Sequence, residues 1–191
     1  MRKVLILLAS LSFVSPAALF GQHAAPLRID VPLPSAWMAM HDTFEEEGLT
    51  VDTEDRIKGT VLTHYREYIS GPLTESYLSK IGQPPRLADA SWVRAEYRFD
   101  IEFRFIEQKR TMVTVNADVR GLKRDFLGSE AWIEVPTNGS REEALLTEFG
   151  KRLFGDSFTL DGSNKRWERD RTLIPADVSG AVPKTAAPER P

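Results

Sequence analysis

Apolar and charged side chains alternate strictly over residues 93–105, within the run WVRAEYRFDIEFRFIEQ of residues 92–108. The alternation resumes over residues 113–119, after a polar turn at residues 107–110. A period of two is typical of strands with one buried and one solvated face. Two such runs joined by a short turn predict a long antiparallel hairpin. Its apolar face must be buried against a second layer.

Two amphipathic helices, one at each end of the domain, are the predicted second layer. In the first, apolar residues recur every three or four positions between Ser35, the predicted N-cap, and Gly48, the predicted C-cap. In the second, Ser140 and Glu143 fit a capping box and Gly155 follows the last apolar residue. Further strands are expected at residues 28–31, 49–54, 60–68 and 131–135. We therefore predict an α+β two-layer sandwich, with a mainly antiparallel sheet of about six strands packed on two main helices.

The connection over residues 69–91 is too long for a simple turn between paired strands. Leu73, Tyr77 and Ile81 recur every four residues, Pro72 could start a helix there and Gly82 could end it. The predicted short helix either packs over the open end of the sandwich or acts as a lid or docking handle.

The N-terminus is typical of a secretory signal, because Arg2 and Lys3 precede an apolar run over residues 4–20. We therefore expect a periplasmic or secreted protein. Gln22 stands where lipid attachment would need Cys, so no lipid anchor is predicted. The tail is rich in proline and small residues and cannot bury enough apolar surface to order itself. The predicted segments are a signal peptide (1–21), a linker (22–27), a folded domain (28–155) and an extended, largely disordered tail (156–191).

Composition and motifs exclude several classes of function. A net charge of −3 gives no basic footprint for nucleic acid. The absence of Cys excludes disulfides, thiolate metal sites and thiol nucleophiles. The three histidines share no ligand spacing, and the carboxylates at Glu96, Asp100 and Glu102 alternate with arginines, a pattern that cross-strand ion pairs explain. We therefore predict no catalytic residue, no cofactor and no metal.

Residues 29–61 contain a short strand, a helix with Trp37 near its start, Gly48 before the next strand, an acidic turn at Asp55, and Gly59 before a further strand. This run resembles the opening of BamC-type (NlpB/DapX) domains of the outer-membrane assembly machinery. Over residues 28–155 the resemblance implies a helix-grip fold, in which a curved antiparallel sheet holds helices on one side. It also implies an envelope setting and peripheral association with the outer membrane. The family's lipidated Cys and second domain have no counterpart here.

These observations favour an exported, non-enzymatic module that binds envelope proteins. Exposed aromatic side chains are the candidate contacts, since large rings supply contact area at low entropic cost: Tyr77, Trp92, Trp132 and Trp167. The alternative function is a periplasmic carrier of a small apolar ligand, held in a cavity between sheet and helix. Its candidate cavity-lining residues are Phe99, Ile101, Phe103 and Phe105. The identity of the partner or ligand and the oligomeric state stay open.

Overall fold

The computed structural model describes residues 25–107, 109–161 and 166–169, so the predicted signal peptide lies outside the described residues. Within them the chain is an α+β domain with three helices and one antiparallel sheet of eight strands. The sequence predicted two main helices and about six strands. None of these helices is long and apolar enough to cross a bilayer. In chain order the elements are β1 (Leu27–Ile29), α1 (Leu33–Glu47), β2 (Val51–Asp55), β3 (Thr60–Thr63), β4 (Arg66–Ser70), α2 (Thr74–Ile81), β5 (Ala90–Glu107), β6 (Arg110–Asp125), β7 (Glu130–Val135), α3 (Ser140–Phe154) and β8 (Trp167–Arg169).

The predicted long hairpin is confirmed as β5 and β6, which pair from Ala90 with Asp125 to Glu107 with Arg110. Two short strands share each outer side of this hairpin. β3 and β4 both pair with β5, whereas β1 and β7 both pair with β6. The strand predicted over residues 60–68 is therefore two strands. β2 extends the sheet beyond β3, and β8 extends it beyond β1.

At one position along the hairpin, side-chain oxygens accept the backbone hydrogen bonds for which no neighbouring strand is available. Phe99 and Ala117 are register partners, and each lies in the gap between two short strands. The Phe99 N–H donates to Thr63 Oγ1 (2.9 Å), and the Ala117 N–H donates to Glu142 Oε1 (3.2 Å). A buried N–H without an acceptor is costly, so these two side chains keep the interrupted ladder satisfied.

The helices cover one face of the hairpin. α1 contacts α3, β5 and β6, and α3 contacts β6. The alternation determines which strand residues meet them, because every second side chain points to the same face. The buried residues from the hairpin include Tyr97, Phe99, Ile101, Phe103, Val113, Val115 and Val119. The helices contribute Trp37, Met40, Phe44, Leu145, Leu146 and Phe149.

The helix ends differ in part from the predicted caps. Gly48 ends α1 in the left-handed conformation (φ 64°), as predicted. The predicted N-cap at Ser35 is wrong, because the helix begins at Leu33 and the residue before it, Pro32, makes no side-chain cap. The predicted capping box of α3 is wrong. Ser140 Oγ donates to the carbonyl of Lys80 (3.1 Å) at the end of α2, so this hydroxyl joins two helices and does not cap its own.

The folded unit is longer at both ends than the predicted domain. Leu27, placed in the linker, lies in β1 and is fully buried. The predicted tail begins too early, because Phe158 and Trp167 are buried and β8 pairs with β1. Phe154 of α3 lies against both rings, at centroid distances of 5.9 Å and 4.9 Å. The remainder of the predicted tail, residues 162–165 and 170–191, lies outside the described residues.

The predicted helix within residues 69–91 is confirmed as α2, although it begins at Thr74 and not at Pro72. Its buried face is also different, since Leu78 and Ile81 are buried while Leu73 is 61% exposed. α2 contacts β4, β5 and α3, which matches the packing alternative.

Candidate functional site

Four side chains stack in alternation on the face of the sheet that α1 and α3 leave uncovered. The Arg98 guanidinium lies 4.5 Å from the Tyr65 ring centroid. Arg120 lies 3.5 Å from the Tyr65 ring and 4.4 Å from the Trp132 ring. We call Arg98, Tyr65, Arg120 and Trp132 the outer stack. Cation–π contacts of this kind are each worth about 0.5–1 kcal/mol at exposed sites.

Two carboxylates hold the outer stack in place. Asp118 accepts hydrogen bonds from the Tyr65 hydroxyl (2.5 Å) and from Arg98 Nε (3.0 Å). Glu96 accepts from Arg120 Nη2 (2.7 Å) and Nε (3.0 Å). Each guanidinium is therefore charge-balanced and fixed in orientation before any partner arrives.

The Tyr65 hydroxyl is a hydrogen-bond donor at neutral pH. Burial raises the pKa of Tyr65 to about 12, with further contributions from the hydrogen bond to Asp118 and the charge of Asp118. Arg98 and Arg120 act in the opposite direction and are outweighed. The phenol therefore serves to hold Asp118 and to separate two arginines.

Replacing Tyr65 with Phe is expected to lower the free energy of unfolding by about 1 kcal/mol at neutral pH, because one hydrogen bond is lost. The folded Tyr65 retains its proton above the ordinary pKa of 10, so its contribution to stability is complete below pH 10 and is lost as pH rises toward 12. Urea unfolding at pH 7 and pH 10.5 measures both effects. A variant that loses stability with pH as steeply as the wild type would contradict this assignment.

An open cleft of about 860 Å³ adjoins the outer stack. Its walls come from the hairpin, the segment after α2 and the end of β7, and include Arg98, Asp118, Gln83, Pro85, Glu134 and Pro136. Asp100 also lines the cleft, and burial together with the neighbouring Glu102 raises the pKa of this carboxyl, while Arg98 lowers it. The lining mixes charged, amide and apolar groups, which suits a polypeptide better than a purely apolar ligand.

A buried carboxyl, Glu142, lies behind this cleft. It is fully buried in the first turn of α3 and accepts hydrogen bonds from the Ala117 N–H (3.2 Å) and the Thr137 hydroxyl (3.0 Å). Burial raises the pKa of Glu142, an effect that those hydrogen bonds only partly oppose. Because Ala117 and Thr137 both line the cleft, Glu142 supports its inner wall.

Of the four aromatic residues predicted to contact a partner, Trp132 is the best placed. It is 40% exposed at the end of the outer stack, beside Glu134 at the cleft. Tyr77 is half-buried, with Lys80 Nζ 4.0 Å from its ring centroid. The surface positions predicted for Trp92 and Trp167 are wrong, because these side chains are 4% and 8% exposed.

Both buried indoles fill space within the fold. A Cβ atom on Gly121 would lie 2.5 Å from the Trp92 ring, so this glycine is what allows Trp92 to pack against β6. Trp167 packs against Phe154 and Phe158, at centroid distances of 4.9 Å and 5.1 Å. Each ring is therefore part of the core and is not available to a partner.

The residues predicted to line an apolar cavity do not do so together. Phe99 borders a cavity of about 160 Å³ between the end of α1, β5 and α3, which Arg141, Glu47 and Glu148 also line. Ile101 and Phe103 are buried in the core and do not border this cavity. Phe105 is 63% exposed, so its predicted inward position is wrong. Ligand pockets usually measure about 300–1,000 Å³, well above this volume.

The histidines of the described residues lie in two separate pairs with carboxylates. His41 Nε2 is 3.1 Å from Glu54 Oε2, and His64 Nδ1 is 3.5 Å from Asp52 Oδ1. Within residues 25–107, 109–161 and 166–169, no group of three or more His, Asp or Glu is arranged to hold a metal ion.

The sequence pattern does not predict the outer stack. The alternating arginines indicated cross-strand ion pairs, and Arg98 with Asp118 and Arg120 with Glu96 are such pairs. The position of Tyr65, between β3 and β4, has no periodic signal that could have revealed it. No protein-family model and no curated protein sequence matches the chain.

Proposed function

We propose that the chain is an exported, non-enzymatic protein-binding module of the cell envelope, with the outer stack and the adjoining cleft as its recognition surface. The observation that carries this proposal is the exposed Trp132 at the end of a stack whose arginines are already fixed by carboxylates. Trp, Tyr and Arg are the residues most enriched among binding hot spots. Because the stack is pre-organised, binding through it loses little side-chain entropy.

The proposed setting is the periplasm or the outside of the cell, in a role related to outer-membrane assembly. The basic and apolar N-terminal residues support export. We also propose that the domain is a two-layer helix-grip, with a curved sheet around α1 and α3. The resemblance of residues 29–61 to BamC-type domains and the contacts of α1 with α3, β5 and β6 support this fold.

The alternative function, transport of a small apolar ligand, has weaker support. The cavity beside Phe99 measures about 160 Å³ and is partly lined by charged side chains. A ligand of ordinary size would have to displace core residues that pack at high density.

The test is binding by Trp132→Ala. The wild-type chain is used to recover a partner from envelope extract, and the partner is then purified and titrated against each variant. We expect Trp132→Ala to weaken binding by at least about tenfold, as loss of a hot-spot indole does. The matched control is Met38→Ala on α1, since Met38 is 68% exposed and apolar but lies on another element.

Two outcomes would contradict the proposed recognition surface. The first is a purified partner that binds the wild type and Trp132→Ala with the same affinity. The second is an equal loss of affinity in Met38→Ala, which would place the contact on α1.

A further inference from the structure

One end of the central hairpin presents apolar side chains directly to solvent. Ile57 in the turn between β2 and β3 is 99% exposed, and Phe105 and Ile106 at the end of β5 are 63% and 40% exposed. The Phe103 N–H donates to the Gly59 carbonyl (2.7 Å), so the turn and the hairpin end lie side by side. We call residues 55–59, 103–107 and 109–110 the basic tip.

The exposure of Ile57 is built into a well-defined turn. Asp55 Oδ1 accepts hydrogen bonds from the N–H groups of Ile57 and Lys58, both at 3.0 Å. Both bonds lower the pKa of Asp55, and the one from the Lys58 N–H makes the largest contribution. Gly59 has φ 73°, and a Cβ there would lie 2.3 Å from the Phe103 carbonyl oxygen, so the turn requires glycine. The isoleucine is therefore held outward by its own backbone.

The charge of the basic tip is opposite to that of the chain. The tip holds five basic side chains, at Arg56, Lys58, Arg104, Lys109 and Arg110. Against them stand two acidic side chains within the tip and two directly beside it that pair with its arginines, so the net charge with these partners is +1 while the whole chain has −3. Outside the tip, Glu54 pairs with Arg56 (3.5 Å) and Glu102 pairs with Arg104 (2.7 Å). Lys109 and Arg110 have no carboxylate within ion-pair distance among the described residues.

We propose that the basic tip is a contact for an anionic lipid surface. Ile57, Phe105 and Ile106 enter the interfacial region, and the surrounding lysine and arginine side chains bind the headgroup phosphates. Apolar side chains beside a basic cluster give this mode of attachment, in which each Lys or Arg near an anionic surface adds to affinity. This contact is a second surface, independent of Trp132.

The opposite end of the hairpin provides a matched control. Phe126 and Leu127 in the turn after β6 are 85% and 94% exposed, so this end is at least as apolar. The charges beside it sum to zero, because two basic residues, Lys123 and Arg124, are balanced by two acidic ones, Asp125 and Glu130. Arg124 pairs directly with Glu130 (2.5 Å). β6 separates the two ends by about 50 Å.

The absence of Cys allows each end to be labelled at one site. Full-length Ile57→Cys and Leu127→Cys are each labelled with a polarity-sensitive fluorophore and mixed with phosphatidylcholine vesicles, with or without phosphatidylglycerol. We expect a blue shift at position 57 with the anionic vesicles and none at position 127. Because the dye reports only its own surroundings, attachment through the apolar N-terminal run would not produce this difference.

Charge reversal completes the test. In the Ile57→Cys background, Lys109→Glu with Arg110→Glu is expected to raise the lipid concentration at half-response by at least about tenfold, whereas Lys123→Glu with Arg124→Glu leaves it unchanged. The proposal is overturned by no response at position 57, by equal responses at 57 and 127, or by equal responses to neutral and anionic vesicles. A response at 57 to lipid-free envelope proteins alone would also overturn it and assign the tip to a protein partner. None of these results alters the expectation for Trp132→Ala.

Discussion

A chain that stops after Gly155 is expected to lose at least about 5 kcal/mol of stability and to be largely unfolded at room temperature. The truncation removes Phe158, Leu160 and Trp167, which are all at least 90% buried. Replacing one buried Phe or Trp by Ala costs about 3–5 kcal/mol. The whole stability of a domain is about 5–15 kcal/mol, so the combined loss is comparable to the total.

The contacts of Phe158 explain why the loss is large. A Cβ on Gly150 of α3 would lie 2.1 Å from the Phe158 ring, so the ring rests directly on the helix backbone. Trp167 then packs on Phe154 and Phe158, and β8 shields β1 by pairing with it. Without these residues the outer side of α3 and the edge of β1 would face water.

The measurement is urea unfolding followed by circular dichroism. The matched control is a chain that stops after residue 174, which keeps every described residue and removes much of the proline-rich end. We expect the control to unfold at the wild-type midpoint. If the chain that ends at Gly155 had the same urea midpoint as the wild type, the domain boundary predicted from the sequence would be correct and the expected loss of stability wrong.

Glu142→Ala is expected to lower the free energy of unfolding by about 2–3 kcal/mol at neutral pH. The substitution leaves the Ala117 N–H without an acceptor at the break between β1 and β7, where no strand can replace it. A buried unsatisfied donor costs about 1–3 kcal/mol, and the small cavity left by the side chain adds to this. The Thr137 hydroxyl also loses the nearer of its two acceptors, at 3.0 Å, and keeps the Ile81 carbonyl at 3.4 Å.

Glu142→Gln is the matched variant, because its amide oxygen can still accept from the Ala117 N–H while an uncharged NH2 group, which does not titrate, replaces the other carboxyl oxygen. Burial raises the folded pKa of Glu142 above its ordinary value of 4.5, so the folded state favours the protonated form. This contribution to stability is complete below pH 4.5 and is lost as pH rises through the folded pKa. We expect the Gln variant to lie within about 1 kcal/mol of the wild type at pH 7 and to lack this pH-dependent loss.

Urea unfolding between pH 4 and pH 8 compares the three proteins. Equal stability of Glu142→Ala and the wild type at pH 7 would show that the carboxyl is not needed at the ladder break. An identical pH profile for the wild type and Glu142→Gln would show that Glu142 does not titrate in the folded protein over this range.

The sequence alone determined the central hairpin, the helices that cover it and the face on which the arginines lie. These features depend on local periodicity, because a period of two places Tyr97, Phe99 and Ile101 on one face whatever their neighbours are. The amphipathic pattern of residues 140–155 likewise predicts a helix from spacing alone. The turn at Gly59 and the helix end at Gly48 are equally local, since glycine adopts a positive φ readily.

Only the tertiary structure decided which aromatic side chains are exposed and where the domain ends. Trp132 and Trp92 each follow a small residue and precede a β-branched apolar one, yet Trp132 closes the outer stack and Trp92 packs against Gly121. Phe158 and Trp167 stand in a largely polar segment with no regular apolar period, and they are buried because α3 presents Phe154 and Gly150 to them. Burial depends on residues distant in the chain, which periodicity cannot report. For the same reason Phe103 and Phe105 continue one apolar alternation, yet Phe103 is buried beside Trp37 of α1 and Phe105 faces solvent.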